Sequence, residues 1–562
     1  MEKSQIESGK LKKGALILVL SSALVKIISA LFKIPLASDF CLGDLGFGYF
    51  SSAHDVFMPI NFIAVSGFPV AISHIVADFI AKGNIWGAKQ TLSASKKLLF
   101  MLGFAFLVLY LICIFPFVIF TDKTGNSIYS FLAVAPTIVF CLWSACYRGY
   151  YEGLGNMRPA AVSCVIEALG KLVLGLGLAL AVMKLCGNTA YASAAAIFGI
   201  SVGTLLSAIY LKIKYKKNDG LKTFGDATAT YVVSQKTIMK TLLVISLPIV
   251  AASLSSSVVA LIDGLTVRYQ LSNLLSSNPD KFLNIYAPLF AELENEAGEM
   301  ISTDILPTVL YGIRSKAFTL FNLIPTLTMS IGVGLIPVVT SSFTKGDKAV
   351  LKSNVSAVIK LSTLICIPAG LGFIFFGERI MFLLYGSSVS SQIGGEMLTL
   401  YGLAAIFAGF SLPLASILQA IGKQGRAFIN VACGIVLKII LNIILCSTYK
   451  LNVTGCAIST VACFLLIFIL QLISIFRNIG MLSDALNSFI KPVFAAAICI
   501  AAGYGISTFS SSSLVTVLSI FTAVVVYLIF LIIFRTFDDT DILALPMGDK
   551  LLKVSKKMKI LR

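Results

Sequence analysis

The sequence predicts an all-α polytopic membrane protein with fourteen transmembrane helices, in two six-helix lobes around a central cavity plus an extra helix pair. Three observations support this prediction. The 562 residues are 57% hydrophobic and 12% charged, with a mean hydropathy of +0.94. Apolar runs of about 20 residues, the length that crosses a bilayer as a helix, recur along the whole chain. An internal repeat divides most of the chain into two halves.

The apolar runs are separated by polar connections. The first run carries two lysines and is followed by many more spans, which is not the pattern of a cleaved signal peptide. The predicted spans are residues 14–36, 49–76, 98–120, 127–147, 160–183, 189–211, 241–263, 313–343, 353–376, 397–418, 427–447, 451–476, 492–509 and 512–534.

The basic residues predict the orientation of the chain. Of 44 Lys and Arg, 31 fall in the termini and the even-numbered connections, 6 fall in the odd-numbered connections, and 7 fall inside spans. Because basic connections stay in the cytoplasm, both termini are predicted to be cytoplasmic, in a multi-pass protein of the cytoplasmic membrane. The net charge of +18 therefore mostly reflects orientation, and no nucleic acid partner is expected.

Two pairs of segments repeat at nearly the same distance along the chain. EGLGNMRPAAVSCVIEALGKLVLGLGL, from Glu152, matches QAIGKQGRAFINVACGIVLKIILNIIL, from Gln419, at an offset of 267 residues that aligns Lys171 with Lys438. PVAIS and PVVTS have an offset of 268 residues, and each is followed by a Lys-Gly-Asn or Lys-Gly-Asp turn. Two such similar offsets predict a duplicated unit of six spans.

The repeat predicts the domain organisation. An even number of spans per copy gives both copies the same orientation, an arrangement in which transporters enclose a cavity at the midplane and rock around it. The predicted parts are an N-terminal lobe (1–211), a cytoplasmic basic linker (212–240), a C-terminal lobe (241–476), the extra pair (477–535) and a cytoplasmic basic tail (536–562). The C-terminal lobe includes the outer segment 264–312, interpreted as a solvated acidic loop, with a gate or docking element as the alternative.

Charged residues inside the spans indicate the chemistry of the cargo. Lys26 and Lys33 are seven residues apart, so they share one face of the first span. The spans hold seven cations against two acids, Glu167 and Asp263. Unpaired cations are tolerated where a water-filled cavity admits an anion, so an anionic substrate is expected, and a phosphate or diphosphate suits lysine and arginine. The seven cations are Lys26, Lys33, Lys171, Arg314, Lys316, Lys360 and Lys438.

These cations differ in their expected partners. Glu167 lies one turn before Lys171, which predicts an ion pair. Lys438 has only Asn442 within a turn, which makes it the more suggestive member of the repeated pair. Arg314 and Lys316 stand at the outer start of span eight, where they either mark the interface or face the cavity. Lys360 is interpreted as reaching the cytoplasmic headgroups.

The sequence argues against several other chemistries. The twelve cysteines are scattered without a Cys-x-x-Cys pair, so no metal site is expected. Neither a phosphate-binding Gly-Lys-Ser/Thr loop nor a Gly-x-Ser-x-Gly elbow occurs. The best enzyme interpretation is a polytopic glycosyltransferase that uses Asp39 or Asp44 of the first outer loop. The repeat and the lack of a globular catalytic domain disfavour it, so the chain is predicted not to be an enzyme.

The same motifs resemble those of a transporter family. The pattern KGALILVL…LFKIPL…GFGYF…GFPVAISH, together with RGYYEGLGNMRPAAVSCVIEALGK and ILQAIGKQGRAFINVACGIVLKIILN, resembles the MOP superfamily of polysaccharide and lipid-linked oligosaccharide exporters. Within it, the likeness is to the branch of sporulation stage V protein B and the MurJ-type lipid II flippases, over about residues 10 to 480.

This resemblance implies an alternating-access flippase for an undecaprenyl-diphosphate-linked sugar, such as lipid II or a related cell-envelope precursor. It implies that Lys26 and Lys33 bind the diphosphate, and Lys171, Lys438, Arg314 and Lys316 are further candidates for substrate binding. The chain departs from the family at three places. His74 stands where a basic residue is usual, His54 and Asp55 stand where Tyr-Pro is usual, and the family cation of span eight has no clear match.

Several points stay open at this level. No cofactor is expected, and transport could be driven by Na⁺, H⁺ or the membrane potential, with Asp263, Glu167 or His54 as candidates for an ion-coupling site. The other partners expected are membrane lipids and proteins of cell-wall synthesis. The rival function within the superfamily is multidrug export. That activity usually needs a buried acid in the first lobe, whereas span one here carries two lysines and no acid.

Overall fold

The chain folds almost entirely into helices. The computed structural model describes residues 21, 24–221, 233–253, 255–297, 301–386, 388–480, 485–510, 512–534 and 536. No strand occurs among these residues, so the predicted all-α class is confirmed.

The helices of the first half are mostly longer than 18 residues. Two pairs of consecutive helices are joined by a π-helical turn. Ile63–Gly67 lies between α2 and α3, and Lys171–Gly175 lies between α6 and α7. The helices are α1 (24–37), α2 (Gly43–Phe62), α3 (Phe68–Ala81), α4 (Ile85–Thr121), α5 (Ile128–Gly153), α6 (Met157–Gly170), α7 (Leu176–Cys186), α8 (Thr189–Lys217), α9 (Gln235–Ser253) and α10 (Ser255–Ser277).

The second half continues in the same way. The helices are α11 (Pro279–Ile285), α12 (Ala287–Ala297), α13 (Leu306–Phe321), α14 (Leu323–Thr344), α15 (Lys348–Tyr385), α16 (Ser388–Ala420), α17 (Gln424–Cys446), α18 (Thr454–Ile479), α19 (Ala485–Ser507) and α20 (Ser513–Ile533). A 3₁₀ turn, Thr303–Ile305, precedes α13.

Eleven helices in the described part of the chain are long and apolar enough to cross a membrane. Each coincides with one of the fourteen predicted spans. The other three predicted spans, 14–36, 241–263 and 313–343, include residues or side chains outside the described part of the chain, so they are not tested. The protein is therefore a multi-pass membrane protein, and the total of fourteen stays a prediction.

The structure repeats the turns that the sequence repeat aligns. Gly155 and Gly422 both have positive φ, 72° and 74°, which favours glycine. The backbone N–H of Gly155 donates to the carbonyl three residues earlier at 2.9 Å, and that of Gly422 does the same at 3.0 Å. The next residue of each turn donates to the carbonyl five residues earlier, at 3.0 and 2.8 Å. The residues that the sequence repeat aligns therefore occupy the same positions in two turns of the same geometry.

The helix starts after the Lys-Gly-Asn and Lys-Gly-Asp turns correspond as well. The Asn84 side chain caps α4 by accepting from the Gly87 N–H at 2.8 Å. The Asp347 side chain caps α15 by accepting from the N–H groups of Ala349 and Val350, both at 3.1 Å. Such caps satisfy N–H groups that have no partner within the helix.

The helix neighbours also correspond between the two halves. In the first half α3, α4 and α5 pack on one another, and α8 packs on α5, α6 and α7. In the second half α14, α15 and α16 pack on one another, and α18 packs on α16 and α17. The extra pair, α19 and α20, packs together and against α15. These matching neighbours support the predicted duplication.

The described residues group into two compact units. The first comprises Met1–Ser272 and Ser302–Gly312, and the second comprises Asn273–Ile301 and Ile313–Arg562. The division falls within α10 and within α13, and α9 packs on α3 and α4 of the first unit. The predicted lobes were defined by the sequence repeat, and they place α9 in the second lobe. These lobe boundaries stay a prediction.

Segment 264–312, which the charge distribution predicts to lie outside, is largely helical, which corrects the interpretation of a loop. It contains the end of α10, all of α11 and α12, and the start of α13. The Tyr286 hydroxyl of this segment donates to the Asn452 side chain, and Lys281 Nζ lies 4.5 Å from the centroid of the Tyr449 ring, both within the second unit.

Candidate functional site

The two lysines of the first predicted span lie on α1. Lys26 and Lys33 are partly exposed, whereas Ile28, Phe32 and Leu36 are buried. Residues spaced by four share one helix face, so these three apolar side chains form the stripe that packs α1 into the first unit. The lysines lie beside this stripe.

Lys33 lies among other charged groups of the first unit. Its ammonium interacts electrostatically with the Asp55 carboxylate and with Lys171. Asp55 is buried and accepts a hydrogen bond of 2.8 Å from the Tyr311 hydroxyl. His54 Nδ1 lies 3.6 Å from Asp55 Oδ1. The fold therefore brings together three residues that the sequence analysis considered separately: Lys33, His54 and Lys171.

Glu167 joins Lys171 to a buried arginine. Lys171 Nζ lies 2.8 Å from Glu167 Oε1, which confirms the ion pair predicted from their spacing. Arg148 Nη2 lies 2.8 Å from Glu167 Oε2, and Arg148 also donates to the hydroxyls of Ser163 and Ser207, both at 2.9 Å. The Arg148 side chain is 5% exposed and that of Lys171 is 26% exposed. Lys171 is therefore the cation of this trio that a ligand can reach.

We refer to Lys33, His54, Asp55, Glu167 and Lys171 as the amino-terminal charged cluster. Two residues that matter for it were missed in the sequence analysis. Arg148 was assigned to a connection, but α5 extends to Gly153 and buries it. Asp55 lies within the second predicted span, so the count of two intramembrane acids is too low. The quoted motif RGYYEG and the unusual His-Asp pair were the available signals.

Lys171 lies in a π-helical turn against which two other helices pack closely. Lys171 is the first residue of this turn, and Gly175 is the last. A Cβ at Gly199 of α8 would collide with the Gly175 backbone, and a Cβ at Gly175 would lie 2.9 Å from the Phe32 ring. These glycines let α8 and α1 pack closely against the turn, as small residues do between membrane helices. Single π-helical turns occur often at functional sites.

The second unit contains Arg314 and Lys316, and both are fully buried inside α13. The Arg314 guanidinium carbon lies 4.1 Å from the centroid of the Phe318 ring, and Lys316 Nζ lies 5.2 Å from that of Tyr385. Both lie inside α13, which begins at Leu306, and the two interpretations, that they mark the interface or that they face the cavity, both stay predictions. Their predicted contact with substrate stays a prediction.

Lys438, which the repeat aligns with Lys171, is fully buried in α17. Its ammonium donates to the Thr460 hydroxyl at 2.7 Å and to the Ser459 hydroxyl at 3.4 Å, both on α18. The Ser459 hydroxyl in turn donates to the Asn442 side chain. Hydrogen bonds of this kind satisfy a buried ammonium and tie α17 to α18, which favours a structural role for Lys438.

The two repeated lysines are expected to respond differently to removal of the charge. Lys171→Met should reduce transport strongly with little loss of thermal stability, because Lys171 is partly exposed and Glu167 keeps Arg148. Lys438→Met should lower thermal stability and reduce transport less, because it removes contacts inside the second unit. Complementation in cells and the melting of each purified variant measure the two effects. The same response of both variants in both measurements would contradict this division of roles.

The candidates for ion coupling lie in the first unit. Asp263 is fully buried in α10, and Glu167 and His54 belong to the amino-terminal charged cluster. Within the described ranges no group of three or more His, Cys, Asp and Glu side chains could hold a metal ion, and none of the twelve cysteines forms a disulfide. The coupling roles stay predictions.

Two further residues differ from or extend the sequence interpretation. Lys360 is buried at 8% exposure inside α15, so the interpretation that it reaches the headgroups is wrong. His74, at the position where the resembling family usually has a basic residue, is exposed on α3.

Family models match both halves of the chain. The model described as "Polysaccharide biosynthesis protein" matches residues 11–274, and the model described as "MatE" matches residues 313–444.

Whole-chain relatives agree with the family models. The lipid II flippase MurJ of Bacillus subtilis is 25% identical over 450 residues, covering 78% of this chain and 77% of its own length. Stage V sporulation protein B of Bacillus subtilis is 24% identical over 549 residues, covering 96% and 98%. The structure of a lipid II flippase MurJ in an inward closed conformation superposes with a TM-score of 0.65 at 17% identity, covering 92% of this chain and 99% of that one. The two family models and these relatives support a place for the chain in the flippase branch of the MOP superfamily.

Proposed function

We propose that this protein is a flippase that moves an undecaprenyl-diphosphate-linked sugar intermediate, lipid II or a related cell-envelope precursor, across the cytoplasmic membrane by alternating access. The proposal includes no covalent chemistry on the substrate. It takes both termini to be cytoplasmic, in accordance with the distribution of basic residues.

One observation supports this proposal above the others: Lys33 and Lys171 lie within electrostatic range of each other in the first unit. Two like charges in a membrane-embedded site repel each other, and their desolvation is costly. Asp55 and Glu167 offset part of this cost, and Arg148 adds a further positive charge beside Glu167. With His54 neutral, these groups together carry an excess of one positive charge, and Lys26 on the same helix adds another. A diphosphate would compensate the excess.

The route of the substrate follows from its chemistry. The diphosphate would contact Lys26, Lys33 and Lys171, whose side chains are partly exposed, while the polyprenyl tail stays in the bilayer. Because Lys171 already has a counter-ion in Glu167, an incoming phosphate has to replace that contact. Arg148 remains beside Glu167, so the carboxylate keeps one partner when Lys171 turns to the phosphate. Exchange of counter-ions of this kind avoids leaving a buried charge unpaired.

Depletion of the protein in its native host tests the proposal. A flippase is expected to leave its lipid-linked substrate on the inner leaflet, so one undecaprenyl-diphosphate-linked intermediate should accumulate inside the cell, and its headgroup identifies the cargo. Re-expression of the protein should clear the intermediate.

Two other outcomes would replace the proposal. Accumulation of small cationic compounds, with no change in lipid-linked intermediates, would indicate multidrug export. Loss of a glycosylated product while its unglycosylated lipid precursor accumulates would indicate a glycosyltransferase.

A further inference from the structure

A second buried ion pair lies in the first unit, at the end that the charge distribution predicts to face outward. Arg268 of α10 and Asp122, the residue after α4, both have side chains with 0% exposure, and Arg268 Nη2 lies 3.6 Å from Asp122 Oδ2. Arg268 Nη2 also donates to the Thr308 hydroxyl of α13 at 3.1 Å. The other two guanidinium nitrogens, Nε and Nη1, have no hydrogen-bond partner in the described part of the chain. The pair therefore joins α10, α13 and the 122–127 loop without using all its donors.

The Asp122 carboxylate is held in place by its own loop. It accepts hydrogen bonds from the Thr124 hydroxyl at 2.6 Å, from the Thr124 N–H at 3.2 Å and from the Ser127 N–H at 2.8 Å. Burial alone would raise the pKa of Asp122, but the Arg268 guanidinium and these hydrogen bonds outweigh burial and hold the pKa below its usual range. Asp122 is thus charged at neutral pH.

The first turns of α13 pack very closely on α2 at the same end. A Cβ at Gly48 would collide with the Thr308 carbonyl oxygen, and a Cβ at Gly312 would collide with the Asp44 carbonyl oxygen. Close packing of this kind depends on the absence of a side chain at each glycine. Further along the same two helices, the Tyr311 hydroxyl of α13 donates a hydrogen bond to the Asp55 carboxylate of α2.

We propose that Arg268 and Asp122 are positioning residues that latch the outer ends of α10 and α13 onto α2 and the 122–127 loop, and so keep the outer end of the first unit closed. The consequence for transport rests on the proposed function: a flippase has to release this contact before its substrate can leave outward. The closure itself does not depend on which substrate is carried.

The geometry of the pair suits a contact that has to open. A buried ion pair is strong when its hydrogen bonds are complete, and the cost of desolvation is poorly repaid when they are not. Here the closest nitrogen–oxygen distance is too long for a good hydrogen bond, and two guanidinium nitrogens of Arg268 have no hydrogen-bond partner among the described residues. Water that enters on opening would hydrate those donors, which lowers the cost of breaking the latch.

Cysteine accessibility measures the closure without any substrate. Ser52 is fully buried on α2, and helical spacing places it on the same face as Asp44, Gly48 and Asp55. Ser52→Cys changes the side chain little. In a background in which the native cysteines are replaced, a membrane-impermeant maleimide added from outside should label this cysteine slowly.

The charge variants should open this site. Arg268→Asp or Asp122→Arg is expected to raise the rate of labelling at least about tenfold, because like charges then face each other in the buried site. The combined exchange, Arg268→Asp with Asp122→Arg, removes the like-charge repulsion but not the loss of the loop hydrogen bonds to Asp122, so it should label more slowly than either single reversal. Asp122→Asn keeps the shape of the side chain and should raise the labelling rate by a smaller factor. This variant replaces the charge reversals in the test if those proteins do not accumulate in the membrane.

A neighbouring ion pair provides the matched control. Lys123 Nζ lies 3.5 Å from Asp304 Oδ1, and both side chains are more than 40% exposed. Lys123→Glu should leave labelling at Ser52→Cys unchanged, because exposed pairs contribute little. Equal labelling rates in the parent, both single variants and Asp122→Asn would overturn the latch, as would an exchanged pair that labels as fast as the single reversals. These rates can support the latch even if depletion shows that the cargo is not a lipid-linked sugar.

Discussion

Lys26→Ala is expected to abolish complementation of a strain depleted of its lipid flippase, although the variant still inserts and accumulates. A lysine at the centre of a membrane helix costs roughly 2.5–3.5 kcal/mol on insertion scales, so its removal should not impair insertion. A hydrogen bond to a charged group contributes roughly 1.5–3 kcal/mol, which corresponds to about 10- to 100-fold in affinity. Growth of the depleted strain, together with the amount of protein in the membrane, measures both effects.

Two controls make this test specific. Lys26→Arg should retain part of the activity, because the charge stays while its geometry changes. Lys184→Ala is the matched control: Lys184 is exposed in the last turn of α7, and its removal should leave complementation unchanged. If Lys26→Ala complements as well as the parent protein, Lys26 is an anchor at the membrane interface and does not bind substrate.

The two lysines of α1 show how far the sequence predicts the site. Their spacing indicated one helix face, and the chemistry of buried cations indicated an anion. The structure adds Asp55 and Lys171 as electrostatic neighbours of Lys33. This proximity could not be predicted from spacing, because the three side chains are brought together by the packing of separate helices. The pairing of Glu167 with Lys171 was predictable, since both lie on one helix at a spacing of four residues.

The repeat predicted the fold better than it predicted the roles of its residues. It aligned Gly155 with Gly422, and both form the same turn. It also aligned Lys171 with Lys438, but the first faces an acid and is partly exposed, whereas the second is fully buried against hydroxyl groups. A duplicated backbone keeps positions equivalent, while the side chains around each position diverge.

The limits of the predicted spans explain the other misses. A hydropathy window ends where polar residues begin, so Arg148 and Arg268 were both assigned to connections. The helices continue beyond the apolar runs, and both arginines are buried inside them. Arg148 and Arg268 are therefore buried parts of the fold, whereas the sequence analysis had counted them only as basic residues that orient the chain in the membrane.

Arg148→Met, beside the amino-terminal charged cluster, is expected to destabilise the first unit more than any substitution considered within that cluster. It removes one of the two ionic partners of Glu167 and the donors to Ser163 and Ser207. Removing one partner of a buried pair typically costs about 3–5 kcal/mol, because the remaining charge is left poorly compensated. The fraction of purified protein that stays monodisperse after heating should fall accordingly.

A double variant separates the charge effect from the loss of packing. Glu167→Gln alone should also destabilise the protein, because Arg148 then loses the carboxylate to which it donates a hydrogen bond. In Arg148→Met with Glu167→Gln neither charge is left alone, so the double variant should be more stable than the sum of the two single losses predicts. Lys171 would then have no counter-ion and should still bind a phosphate. If the two losses simply add, Arg148 stabilises the first unit through packing and its serine contacts, and Glu167 does not depend on it.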